Sequence, residues 1–128
     1  MEPYTYSGSL RKAEELRQRT KSFAIRIVNL FRSLPHTQDA QTLGKQVLRS
    51  GTSVAANYRA VCRARSKAEF VSKLGIVVEE ADETAFWLDV LTETGVLSSP
   101  RVADLQKEAN ELLAIFSASL RTSKRSLK

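Results

Sequence analysis

The chain has 128 residues, room for one domain with a single core. Hydrophobic residues make up 42% and charged residues 27%, an ordinary globular balance in which disorder is not the default, and only 3 Pro and 5 Gly suit long helices better than a turn-rich β fold. The formal charge of +6, from 20 Lys and Arg against 14 Asp and Glu, favours acidic partners and nucleic acid above all.

Four stretches carry a helical apolar period. In the first, Ala13, Leu16, Thr20, Phe23, Ile27, Leu30 and Leu34 recur at steps of three and four, a heptad seam widened by Ala24, Val28 and Phe31. Pro35 closes it, because proline lacks an N–H and disfavours helical geometry at Leu34. The short loop Pro35–Asp39 predicts that the second helix returns antiparallel. That helix spans about Ala40 to Ala64 on a seam of Leu43, Val47, Val54, Tyr58 and Val61, with small residues through its middle, Ser50 to Ala56. A helical Gly51 costs roughly 1 kcal/mol relative to Ala. The segment therefore reads as a place where a neighbouring helix backbone comes close; the alternative is a helix break at Ser50–Thr52.

Ser66 and Glu69 fit a capping box at the start of the third helix. Its seam runs Phe70, Leu74, Val77, Ala81, Thr84, Leu88 and Leu91, and Gly95 supplies a left-handed C-cap. The fourth helix begins around Pro100, with Ser98 and Ser99 as candidate caps, and carries Val102, Leu105, Ala109, Leu112, Phe116 and Leu120. The last residues, 121–128, read as a flexible basic tail. The whole chain, 1–128, is thus expected to form one all-α domain, an antiparallel up-down-up-down four-helix bundle.

Two features exceed the needs of such a core. Ile76, Phe86, Trp87 and Val90 lie off the seam of the third helix, and a helix apolar on several sides is usually covered on several sides. They are the candidate oligomer interface; the alternative is a monomer with stray apolar side chains. Charge is also uneven: Lys45 to Lys73 holds seven bases and one acid, whereas Leu74 to Pro100 holds six acids and no base. Opposite charges either pair neighbouring helices within the chain or set the register of a head-to-tail subunit contact. Lys45, Arg49, Arg59, Arg63, Arg65 and Lys67, with the bases of the first helix, are the candidate nucleic-acid contacts. Arg49 or Arg59 paired with Glu80 or Glu83, together with a hydrogen-bonded Asn57, would form a polar network between helices two and three.

Catalysis finds little support. His36 and Cys62 are each the only residue of their type, and they sit at opposite ends of the second helix, on the order of 30 Å apart. A ferritin-like di-iron site needs two Glu-x-x-His pairs, and no phosphate-binding Gly-rich loop is present. No enzyme activity, cofactor, metal or small-molecule substrate is expected. Cys62 reads as a small semi-buried residue. The amino-terminal stretch lacks a secretory pattern and no apolar run approaches roughly 20 residues, so a cytoplasmic protein without membrane contact is expected.

Three segments, RSGTSVAANYR (Arg49–Arg59), SKAEFVSKLGI (Ser66–Ile76) and EEADETAFWL (Glu79–Leu88), resemble the bacterial four-helix-bundle family first noted in intervening sequences of 23S ribosomal RNA genes. They are also similar to the related accessory protein of diversity-generating retroelements. The resemblance implies a homopentamer around a basic channel and, for the retroelement relatives, binding to nucleic acid (RNA or DNA) and to a reverse transcriptase. Ala60, Glu79 and Phe86 depart from the family pattern, making the third helix more acidic and its outer face more apolar. Two functions are therefore expected to compete: an oligomer that binds RNA through basic residues, or a protein-interaction scaffold, such as an accessory partner of a reverse transcriptase, with no direct nucleic-acid contact.

Overall fold

A computed structural model describes residues 10–126. They form four helices, α1 (Leu10–Arg32), α2 (Gln38–Cys62), α3 (Lys67–Glu93) and α4 (Ser99–Arg125), and no strand among the described residues. α2 packs on both α1 and α3, and α4 packs on α3; the α1–α4 seam is the thinnest.

Each helix end has a local cause. α1 stops three residues before Pro35, and the N–H groups of Ser33 and Leu34 tighten onto the carbonyls of Leu30 and Phe31 at 3.0 and 3.1 Å. The Leu34 side chain then turns into the core. α2 starts at Gln38, two residues earlier than the apolar period predicts, where the Asp39 carboxylate accepts the N–H of Ala40 at 2.8 Å. Hydrogen bonds from Thr37 and from that amide hold the Asp39 carboxyl below its usual range. At α3, Ser66 Oγ accepts the Glu69 N–H at 3.1 Å as predicted, but the Glu69 carboxylate reaches the N–H of Arg65, at 3.4 Å. Half of the expected box is therefore formed, with the return bond displaced by one residue. Ser66→Ala is expected to cost about 1 kcal/mol, read as a lower urea midpoint at unchanged slope.

Gly95 adopts φ 79°, and Leu97 N–H returns to the Leu91 carbonyl at 3.0 Å, closing α3. Ser98 holds the cap position of α4 without a side-chain cap bond. The expected tail is corrected by the fold: α4 continues to Arg125, and Ser123 is fully buried. The polar composition hides that Ser123 continues the inward row of Phe116 and Leu120. Residues 127 and 128 lie outside the described residues.

The core is one cluster, with Phe23, Ile27, Val47, Val54, Leu74, Leu88, Leu112 and Phe116 among its fully enclosed side chains. On α3 the buried set is Phe70, Leu74, Val77, Ala81, Thr84, Leu88 and Leu91, the predicted seam residue for residue. Four polar residues share the interior, and each hydroxyl donates back to the carbonyl four residues earlier: Thr20 to Leu16, Ser50 to Gln46, Thr84 to Glu80 and Ser123 to Ser119. None leaves a buried polar atom orphaned, so small hydroxyls substitute for apolar residues at little cost.

α2 is continuous through Ser50–Thr52. What approaches its small middle is the branched side chain of Ile27 on α1; the expected backbone approach is replaced by this knob. A Cβ on Gly51 would stand 2.7 Å from Ile27 Cγ1 and 2.9 Å from Cγ2. Two turns further out, buried Gly44 receives Phe31 and Leu34 in the same way.

Candidate functional site

Ion pairs divide the basic residues into those already engaged and those left open. Arg49 on α2 spans to α3, with Nη1 3.1 Å from Glu80 and Nη2 3.0 Å from Glu83. The two carboxylates are one turn apart, so a single guanidinium bridges both. Arg59 takes no part in this network. Asn57 is separate as well: its amide donates to the Ser53 carbonyl at 2.9 Å and to Ser53 Oγ at 2.7 Å, within its own helix. The predicted polar network thus reduces to Arg49, Glu80 and Glu83.

A matching clamp joins α1 to α4. Arg19 donates from Nε and Nη2 to Glu108, both at 2.7 Å, and from Nη2 to Glu111 at 2.7 Å. This pairing spans 89 residues and strengthens the thinnest seam of the bundle. The sequence reading missed it. The available signal was a second pair of glutamates at a spacing of three, matching Glu80 and Glu83.

Three of the six predicted nucleic-acid contacts come together. Arg59, Arg63 and Arg65 line one shallow hollow at the α2–α3 end, with Ala56, Ala60, Glu69 and Lys73. The side chains of Arg59, Arg63 and Lys73 join no ion pair among the described residues. Arg65 stands 3.9 Å from Glu69 with 73% of its side chain exposed, a contact too long and too wet to hold it. Arg59 also lines an adjoining hollow between α1 and α2, with Lys21, Thr52, Ala55 and Ala56, and with Arg17, which is paired to Glu14 in the same lining. The alanines keep the floor low between Arg59 and Lys21. Lys21 was among the first-helix bases expected to make contacts; Lys73 was not singled out on α3, because only packing brings it beside Arg59.

The other three candidates lie apart from this cluster. Lys45 is exposed but roughly 20 Å further along α2. Arg49 is held by Glu80 and Glu83. Lys67 donates to the Ser126 carbonyl at 3.1 Å, tying the start of α3 to the end of α4.

The predicted oligomer residues are split by exposure. Ile76 and Phe86 are open at 42% and 57%, whereas Trp87 and Val90 are half-buried, and the Phe86 ring meets Trp87 edge-on at 4.9 Å. Ile25 on α1, at 53%, is a further exposed apolar residue that the sequence reading did not single out. Its position between Phe23 and Ile27, off the seam, was the available signal.

Cys62 is half-buried, one turn after Tyr58 on α2. Burial pushes the Cys62 thiol above its ordinary range, and burial does the same to the Tyr58 phenol. The folded state therefore holds both protons more tightly than the unfolded chain does. Their contribution to stability is complete below the ordinary thiol value of about 8.5 and is lost as pH rises beyond it. Thermal melts are expected to shift down above that pH, and Cys62→Ser to remove part of the shift. His36 and Cys62 lie at opposite ends of α2, and no group of three or more His, Cys, Asp and Glu able to hold a metal occurs among the described residues. No described helix is long and apolar enough to cross a membrane.

Comparison with known proteins gives two findings. The family model described as 23S rRNA-intervening sequence protein matches residues 12–118, reaching all four helices. A crystal structure of a protein of unknown function from the S23 ribosomal protein family of Bacteroides thetaiotaomicron VPI-5482 is 34% identical, with a TM-score of 0.79, covering 86% of this chain and 98% of that one. No curated protein matches the chain.

Proposed function

This chain belongs to the 23S rRNA-intervening sequence protein family, and we propose that it is a non-enzymatic, self-assembling bundle that binds RNA through the basic hollow of α2 and α3. The observation that carries this reading is the group Arg59, Arg63 and Lys73, unpaired over a floor of alanine. Elsewhere on the bundle, guanidinium groups that meet carboxylates are clamped by them, as Arg19 and Arg49 are. Cations left open at one place gain most from phosphate, which releases counterions when neutralised. No exposed aromatic lines the hollow, so stacking on bases contributes little and recognition is of the backbone.

The up-down-up-down course of the helices belongs to this proposal. It is supported by the order of facing residues: Ile27 with Gly51 and Phe31 with Gly44, then Arg49 with Glu80 and Glu83. Self-assembly, as a pentamer by family likeness, is supported by the open apolar residues Ile76 and Phe86. A cytoplasmic location fits a protein that binds RNA.

The test is RNA binding by fluorescence anisotropy across salt. With about four phosphates neutralised, affinity is expected to fall roughly 50- to 150-fold between 50 and 200 mM salt. An oligomer that ignores a short structured RNA at low salt would favour the scaffold function, in which a protein partner such as a reverse transcriptase is recognised instead. That second reading draws on the same exposed faces and needs no basic hollow.

A further inference from the structure

We infer that the RNA is taken as a duplex, and that the end of α4 supplies a second cluster of cations for it. This deepens the RNA-binding reading proposed above and rests on it. Arg121, Lys124 and Arg125 are exposed, and their side chains join no ion pair or hydrogen bond among the described residues. No acid follows Glu111 in the chain, so α4 itself offers these cations nothing to pair with.

Packing places this cluster at the same end of the bundle as the basic hollow. Lys67, at the start of α3, donates to the Ser126 carbonyl at the end of α4. Only the short link 63–66 separates that start from the end of α2. The rotation of α4 follows from its other contacts. Gln106 donates to Asp89 on α3 at 3.1 Å, and Lys124 comes about five turns later on the same flank. Lys124 therefore stands on the α3 side, while Arg121 and Arg125 lie opposite the buried Ser123 and face away from the core.

The start of α1 belongs to this end too, since Lys12 and Ala13 line one hollow with Phe70 and Thr122. The acids described here each face a base already: Glu14 with Arg17, Glu15 with Arg11 and Glu69 with Arg65. The opposite end differs, with Asp39, Asp89, Glu93 and Asp104 beside Arg32 and Arg101. The bundle thus has one basic pole.

The form of the ligand follows from what that pole lacks. Single strands are held largely by stacking bases on aromatic rings. The aromatic residues described at this end, Tyr58, Phe70 and Phe116, are buried in the core. A duplex keeps its bases stacked within itself and shows a protein phosphates and 2′-hydroxyls. Cations without rings suit that surface. Neighbouring helix axes lie about 8–10 Å apart, so the hollow and the α4 cluster, on either side of α3, stand roughly 20 Å from each other. One phosphate cannot reach both clusters, whereas the two backbones of a duplex can.

The test is fluorescence anisotropy on the full chain with two probes: an RNA duplex of about 16 base pairs, the length that double-stranded RNA modules span, and an unstructured pyrimidine RNA strand of equal length. The duplex is expected to bind roughly tenfold tighter. With about six phosphates neutralised, its slope of log affinity against log salt is expected near about −5.4, where about four contacts in the hollow alone would give about −3.6. Arg121→Glu/Arg125→Glu is expected to return the slope to about −3.6 and to weaken duplex binding roughly 100-fold at 50 mM salt. Arg121→Gln/Arg125→Gln, which adds no repulsion, is expected to change the slope equally with a smaller loss. Arg32→Glu/Arg101→Glu makes the same charge change at the opposite end and is expected to leave affinity within about threefold. Circular dichroism shows that each variant is folded.

A single strand bound as tightly as the duplex, or an α4 variant that binds like the wild-type chain, would overturn the inference while RNA binding by the hollow stands. Equal losses from the α4 and far-end variants would overturn it as well, since affinity would then follow net charge. A wild-type chain that binds neither probe at low salt would overturn the RNA-binding reading together with it.

Discussion

Arg59→Glu/Arg63→Glu is expected to lower RNA affinity at 50 mM salt by roughly 100-fold, and to reduce the slope of log affinity against log salt by about 1.5. Both side chains are exposed and neither joins an ion pair among the described residues, so the exchange leaves no carboxylate without its partner. The fold should therefore be intact, and a melting curve checks it. Arg49→Ala provides the contrast. It frees Glu80 and Glu83 and is expected to lower stability by up to about 1 kcal/mol while RNA binding stays within twofold. Equal losses of RNA binding from both changes would show that affinity follows overall charge, and the hollow would lose its claim.

Gly51→Ala is the second change with a large expected effect, and its sign distinguishes two accounts of the same glycine. Helix propensity alone predicts a gain of about 1 kcal/mol. Packing predicts a loss, because the new Cβ would sit within 3 Å of two Ile27 carbons, and Ile27 is fully buried against the core. Branching at its own Cβ leaves Ile27 few rotamers in which to move aside. Overpacking of this kind costs about 1–3 kcal/mol, so a net loss is expected in urea denaturation. Ile27→Ala removes both clashing γ carbons, so Gly51→Ala should cost little in that background, giving a coupling beyond additivity. A stabilised Gly51→Ala would mean that α1 stands further from α2 than the structure places it.

Much of the scaffold was legible in the residues themselves. The α3 seam was read without error because each of its seven positions is apolar or a lone Thr at a regular spacing. The carboxyl end of α4 was not, since Ser123 is buried yet looks like any tail serine. Its hydroxyl satisfies itself within the helix, which removes the polar penalty that would have kept it outside. The small middle of α2 announced close packing, but only the structure identified Ile27 as the knob.

The candidate site was legible in its ingredients and hidden in its assignments. The sequence placed basic residues on α2 and acids on α3, and the oppositely charged partners of Arg49 were among those named in advance. It did not separate Arg49 from Arg59, two cations ten residues apart on one helix. Helix periodicity is local: it follows from 3.6 residues per turn and can be counted along the chain. Charge pairing is not, since it depends on how each helix is rotated and how far it slides along its neighbour. Local periodicity was enough to set the four helices and the inward row of α3. Tertiary packing decided which arginines are clamped, by Glu80 and Glu83 or by Glu108 and Glu111, and which are left facing outward.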